Sequence, residues 1–105
     1  MDLKEIQKKF YIFLKERNWL AFSANDVLIH LYEELSEIGN YLLFQTKYKD
    51  DIGHEKPKKE ELPREFAQAF SLFLQLCIYM GIDLEDAWFE EINRMKERFP
   101  IDTQK

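Results

Sequence analysis

The chain has 105 residues, which is a typical length for a single domain. Apolar residues make up 46% of it and aromatic residues 15%, so the sequence is able to form a packed core and is not of the disordered class. A formal net charge of −5 disfavours nonspecific binding to nucleic-acid polymers and helps to gather cations.

The one cysteine, Cys77, lies in an apolar run, and a single thiol forms no disulfide within its own chain. The N-terminal residues contain no apolar signal region. Polar residues interrupt the most apolar segment before it is long enough to span a bilayer. We therefore expect a soluble, cytoplasmic protein that does not bind a membrane.

Apolar residues at helical spacing predict four helices and no strands. The first helix is expected over roughly residues 2–17. The second is expected over roughly residues 24–46, after the capping residue Ser23. Its apolar stripe, which we expect to be buried, consists of Val27, Leu28, Leu31, Leu35, Ile38 and Leu42.

Residues 47–62 form a charged connection with few apolar side chains. We interpret this segment as a mobile internal loop that carries a short helical turn, because a connection of this length is long for a compact domain. It is not a boundary between domains, so the prediction is a single helical domain over residues 1–105.

The third helix is expected over roughly residues 63–80, with Pro63 in its first turn, a position that suits proline. Most of its circumference is apolar, and we expect most of it to be buried. The exception is a stripe that needs polar partners or water, formed by Glu65, Gln68, Ser71 and Gln75.

The fourth helix is expected to begin after Asp83, which is placed to cap it together with Asp86 three residues later. Pro100 closes the helix. Its apolar stripe, again expected to be buried, consists of Trp88, Ile92, Met95 and Phe99.

Three carboxylates lie close together on the second helix. Glu33 and Glu34 lie on the same side as Glu37, because residues three and four positions apart are neighbours on a helix. Glu65, at the start of the third helix, is able to face them across a bundle. Such a cluster is usually a solvated helix face, but a divalent cation with oxygen ligands would also relieve its repulsion.

The spacing of these acids is similar to a known motif. Glu33-Glu34-x-x-Glu37 followed by Glu65-x-x-Gln68 resembles the signature of the MazG-like all-α nucleoside triphosphate pyrophosphohydrolases, which is Glu-Glu-x-x-Glu, a spacer and Glu-x-x-Asp. Three further segments resemble the same family in the same order: residues 16–22, residues 80–87 and Arg98-Phe99-Pro100.

The resemblance implies a Mg²⁺ site in which Glu34, Glu37 and Glu65 are metal ligands, with Gln68 at the last ligand position. It implies that Glu33 and Glu37 are the catalytic groups, Glu33 being a further ligand or the group that orients water. Water would attack the α-phosphoryl group and release pyrophosphate and a nucleoside monophosphate, as in the cleaning of nucleotide pools.

Gln68 is a departure from the family motif, because an amide replaces the expected aspartate. Its oxygen is able to coordinate Mg²⁺, but it adds no negative charge and cannot act as a base. Glu61, one helical turn before Glu65, is a possible substitute. Met95 also stands where we would expect a polar residue. Both changes favour a weaker, specialised or lost activity.

Five further residues are candidates for substrate binding. Trp19 and Phe22 would stack on a nucleobase, or they would lock the first connection by packing. His30 would contact phosphate, or it would be a half-buried packing residue. Lys96 and Arg98 would bind phosphate in a neighbouring subunit's site, or they would complement the helix dipole.

The sequence thus predicts an all-α four-helix bundle of the MazG-like kind. We expect a homodimer or homotetramer, because the aromatic residues exceed what one small bundle needs to bury. The expected function is Mg²⁺-dependent hydrolysis of a nucleoside triphosphate. The alternatives are a catalytically degenerate protein that binds nucleotide or metal, and a structural dimerisation protein.

Overall fold

The computed structural model describes residues 1–48, 53 and 57–101. Within these residues the protein is entirely helical and contains no strand, which confirms the all-α class. Its helices are α1 (Leu3–Glu16), α2 (Ala24–Gln45), α3 (Leu62–Tyr79) and α4 (Leu84–Arg98), with short 3₁₀ turns at Trp19–Ala21 and Lys59–Glu61.

Local sequence signals fix three of the four helix starts. The side chains of Asp2, Ser23 and Asp83 each accept a hydrogen bond from the backbone N–H three residues later, at 2.8, 3.1 and 3.0 Å. These bonds satisfy donors that the first turn of a helix leaves unpaired. The remaining helix, α3, has no such cap but has Pro63 in its first turn, as its sequence predicts.

The core lies where α3 packs between α2 and α1. Its buried apolar side chains are Leu14, Val27, Leu31, Ala69, Leu74 and Cys77. Burial raises the pKa of the Cys77 thiol, as expected for a cysteine that acts as a small apolar residue.

The predictions of buried stripes were partly wrong. On α2, Val27 and Leu31 are buried and Ile38 is half-buried, but Leu28, Leu35 and Leu42 are exposed. The prediction that most of α3 is buried was also wrong, because Phe66 and other aromatic side chains of this helix remain exposed. The physical reason is that α3 has neighbours on only part of its circumference.

The same correction applies with more force to α4. The stripe of Trp88, Ile92, Met95 and Phe99 was predicted to be buried, yet within the described residues α4 buries none of its side chains. The stripe follows helical spacing, as predicted, but Trp88, Met95 and Phe99 are exposed and Ile92 is only half-buried.

Polar contacts between the starts of both helices hold α4 against α1. Lys4 Nζ lies 2.5 Å from Asp83 Oδ2 and 3.1 Å from Asp86 Oδ1. The Gln7 side chain accepts a hydrogen bond from the Leu84 backbone N–H at 3.1 Å. These contacts attach the first turn of α4 to α1, while Trp88, Met95 and Phe99 of the apolar stripe remain exposed.

The predicted loop over residues 47–62 is only partly described. A 3₁₀ turn at Lys59–Glu61 matches the expected short helical turn. Residues 49–52 and 54–56 lie outside the described residues, so the loop and the single-domain assignment stay predictions. In the described part of the chain, no single helix is long and apolar enough to cross a membrane. The segments Lys59–Tyr79 and Leu84–Arg98 reach the required length and apolar character only when they are taken together, and the angle between them is 99°.

Candidate functional site

The acidic residues of α2 and α3 act on one another electrostatically, as their spacing predicts. The pKa of the Glu37 carboxyl is raised, first by partial desolvation and then by the negative charges of Glu34 and Glu65. The neighbouring Glu34 carboxyl group and the charge of Glu33 raise it further. The fold therefore brings four predicted site residues from two helices into one negative field.

Glu34 lies at the centre of this acidic cluster. Its side chain is only 13% exposed, and its Oε1 atom lies 3.3 Å from Nε2 of His30, one turn earlier on α2. Its Oε2 atom is buried without a hydrogen-bond partner among the described residues.

The donor set has the chemistry of a hard-cation site, because every acid in it offers carboxylate oxygens. The unpartnered Oε2 of Glu34 and the raised pKa of Glu37 are the features that a bound cation would relieve. However, no group of three or more His, Cys, Asp or Glu side chains within the described ranges is arranged to hold a metal ion. Gln68 and Glu61 are exposed.

A pocket of about 480 Å³ opens beside the cluster, in the size range of small-molecule sites. Three of the five predicted substrate-binding residues meet there: Trp19, Phe22 and His30. The full lining consists of Trp19, Phe22, Asp26, Val27, His30, Leu72 and Gln75. Its walls are mostly apolar, with a carboxylate, an amide and an imidazole at the edges.

Hydrogen bonds to α3 hold the aromatic wall in place. The Tyr79 hydroxyl donates to the Trp19 carbonyl oxygen at 2.7 Å, and the Gln75 amide donates to the same oxygen at 3.4 Å and to Tyr79 Oη at 2.8 Å. Gln75 is 6% exposed, so this buried amide has found the polar partners that its stripe was expected to need. Trp19 also makes an edge contact with Phe13.

Sequence reasoning missed several residues of this site. Asp26 lies in the first turn of α2, where its backbone N–H donates to the Ser23 cap, and sequence reasoning assigned it no role in the pocket that it lines. Tyr79 gave no signal, because its partner is a backbone carbonyl 60 positions earlier in the chain. Gln75 was singled out only as part of the polar stripe.

The structure does not bring the predicted phosphate-binding residues Lys96 and Arg98 into this pocket. Both lie on α4, which packs against α1, and neither lines the pocket. The Arg98 guanidinium lies 5.2 Å from the centre of the Phe99 ring.

Fold and site together define an all-α protein with an acidic cluster beside an aromatic pocket. Comparison with family models, with curated proteins and with solved structures finds no match to this chain.

Proposed function

We propose that the protein is a Mg²⁺-dependent nucleoside triphosphate pyrophosphohydrolase that releases pyrophosphate and a nucleoside monophosphate. The observation that carries this proposal is the contact between His30 and Glu34 at 3.3 Å. His30 lines the aromatic pocket and Glu34 belongs to the acidic cluster, so one contact joins a surface suited to a nucleobase with carboxylates suited to a metal-bound triphosphate.

In this proposal the pocket binds the nucleoside. Trp19 and Phe22 present exposed aromatic faces on which a base is able to stack. Because Gln75 and Tyr79 fix the Trp19 backbone, this wall is held before substrate arrives. His30 lies between base and acids, where its imidazole is able to donate a hydrogen bond to a phosphate oxygen.

The acidic cluster would hold the cation and accept the proton of the attacking water. Glu34, Glu37 and Glu65 are the proposed ligands, and Gln68 offers an amide oxygen at the same end of α3. Bound Mg²⁺ would neutralise the triphosphate and acidify the attacking water. Glu33 would orient that water, and Glu37 would accept its proton.

Pyrophosphate release from a panel of canonical and damaged nucleoside triphosphates, with and without Mg²⁺, tests the proposal. We expect Mg²⁺-dependent turnover that falls by at least about 100-fold in Glu37→Gln, the range of a lost general base. Glu97→Gln, which removes a carboxylate from α4, is the control and should keep its rate. No turnover on any substrate at high protein concentration would contradict the proposal.

Gln68 favours a second candidate, a catalytically degenerate protein that binds nucleotide or metal, or a structural dimerisation protein. In this case the wild-type chain would show no turnover. Gln68→Asp, which restores the missing acid, should raise Mg²⁺ affinity and any hydrolysis if the site is real. If the acids are only a solvated face, Gln68→Asp will change neither, and Glu34→Gln will be neutral or stabilising.

We further propose that the four helices belong to a MazG-like bundle and that the protein acts in the cytoplasm. The motif order on α2 and α3 supports the first point, and the single reduced cysteine supports the second.

A further inference from the structure

Helix α4 presents an apolar stripe that the described chain leaves open. Trp88 is 52% exposed, Met95 40% and Phe99 68%, and Ile92 lies between them. Their spacing of four, three and four residues is that of a helix that packs along its length against another helix. An exposed stripe of this regularity indicates an interaction surface.

The surface of the whole chain is larger than a compact monomer needs. It exposes 8751 Å², whereas a monomeric protein of 12.8 kDa exposes about 6,300 Å². Its radius of gyration is 18.1 Å, whereas a compact domain of this length has about 13 Å. The exposed apolar side chains behind this excess of about 2,500 Å² lie on all four helices, and the α4 stripe is one of the apolar surfaces that a partner would cover.

The charges on α4 indicate which partner covers the stripe. The first half of the helix is acidic and the second half is mostly basic. The acids of the first half are Glu85, Asp86, Glu90 and Glu91, and the basic residues of the second half are Arg94, Lys96 and Arg98. An antiparallel copy of the same helix would bring each acidic half against a basic half and would also oppose the two helix dipoles favourably.

We propose that two copies of this chain pair through α4 in an antiparallel, two-fold arrangement. In this register Trp88 packs against Phe99 of the partner subunit, and Ile92 against the partner's Met95. The stripe is self-complementary, as a two-fold interface requires.

The same symmetry identifies an ion pair. A two-fold axis perpendicular to both helices brings the same flank of each helix together. Glu91 and Arg98 share one flank of the stripe, because they lie seven residues, or nearly two turns, apart. Within its own helix, Glu91 Oε2 accepts a hydrogen bond from Arg94 Nη1 at 3.2 Å. In the dimer Glu91 also faces Arg98 of the partner subunit, and this second contact occurs twice. This inference does not depend on the proposed enzymatic function.

The molar mass in solution, measured by sedimentation over a range of concentrations, tests the surface. Wild type should be dimeric, and Met95→Asp should raise the dissociation constant by at least about 100-fold, because it places a charge in the dry centre of the interface. Leu42→Asp, at a 54%-exposed position on α2, is the matched control and should remain dimeric. Circular dichroism confirms that each variant is folded.

Charge reversal tests the antiparallel register. Glu91→Arg and Arg98→Glu should each weaken the dimer, and the double variant should restore it. Each single variant should also change how strongly the dissociation constant depends on salt concentration. A wild-type chain that stays monomeric at micromolar concentration would overturn the proposal, as would dissociation by Leu42→Asp but not by Met95→Asp. Rescue of Glu91→Lys by Lys96→Glu instead would show parallel helices and overturn the antiparallel register.

Discussion

The α2–α3 pair and α4 are both amphipathic, but their apolar faces have different surroundings. Val27 and Leu31 of α2 are buried where α3 packs against them. The stripe of α4 has the same helical spacing, yet none of its side chains is buried in the described chain. An apolar stripe therefore identifies the face that needs a partner, and does not say whether that partner is another part of the chain.

The two regions also use charge differently. On α2 and α3 carboxylates of like charge lie close together, so their repulsion raises the pKa of Glu37 and opposes the folded state. At the start of α4, acidic side chains surround the Lys4 ammonium group, so opposite charges attach the helix. We interpret the first arrangement as a binding site and the second as a structural contact, because only the first is unfavourable without a ligand.

The largest expected effect is on the free energy of unfolding, and it distinguishes a buried side chain of the core from an exposed one of the α4 stripe. Leu74→Ala removes a 2%-exposed side chain of α3 and should lower the free energy of unfolding by about 2–5 kcal/mol. Trp88→Ala removes a larger but exposed side chain and should change it by about 0.5 kcal/mol or less in the monomer. Urea denaturation at protein concentrations below dimer formation measures both, and equal losses would contradict the comparison.

Local physics explains why the helices were predictable from the sequence. The Ser23 and Asp83 caps and the Pro63 start act within one turn, so their signals survive in the sequence. Burial was less predictable, because it depends on which helices meet. Phe66 and Phe99 have the side chains of core residues, but both remain more than half exposed in the described chain.

The candidate site was predictable to the extent that it lies on one helix. The Glu33, Glu34 and Glu37 cluster follows from helical spacing alone. The pairing of Tyr79 with the Trp19 carbonyl joins elements far apart in sequence, and no local pattern encodes it. The position of Lys96 depends on where α4 packs, which the sequence does not state.

A smaller effect is expected where α4 is attached. Asp83 caps α4 and contacts Lys4, and the hydrogen bond from Lys4 is the main reason that the pKa of the Asp83 carboxyl is lowered. Asp83→Ala should lower the thermal midpoint by a few degrees at neutral pH. Asp83→Asn keeps a capping oxygen and loses only the charge, so it should have a weaker effect.

The pH dependence of this contact has a defined sign. The lowered pKa of Asp83 contributes stability above its unfolded value, and that contribution is lost as the pH falls through the folded value. The difference in thermal midpoint between wild type and Asp83→Asn should therefore shrink in acid. A difference that stays constant down to low pH would show that the Lys4 contact contributes nothing.

The smallest expected effect has the opposite sign and belongs to the acidic cluster. Because the pKa of Glu37 is raised in the folded state, its stabilising contribution is present below the unfolded pKa and is lost as the pH rises through the folded value. Glu37→Gln should therefore be slightly more stable than wild type at neutral pH, by about 0.2–0.5 kcal/mol in total, because solvent screens the repulsion around the exposed Glu37 side chain. Urea denaturation at several pH values measures this difference.

Mg²⁺ distinguishes a binding site from a solvated face in the same experiment. A ligand that binds only the folded state stabilises it in proportion to the logarithm of ligand concentration. Wild type should thus gain stability with added Mg²⁺ and overtake Glu37→Gln, whose weakened site should gain little. Glu97→Gln on α4 should respond as wild type does. If Mg²⁺ stabilises all three proteins equally, the acidic cluster is a solvated helix face, and the repulsion around Glu37 has no ligand to relieve it.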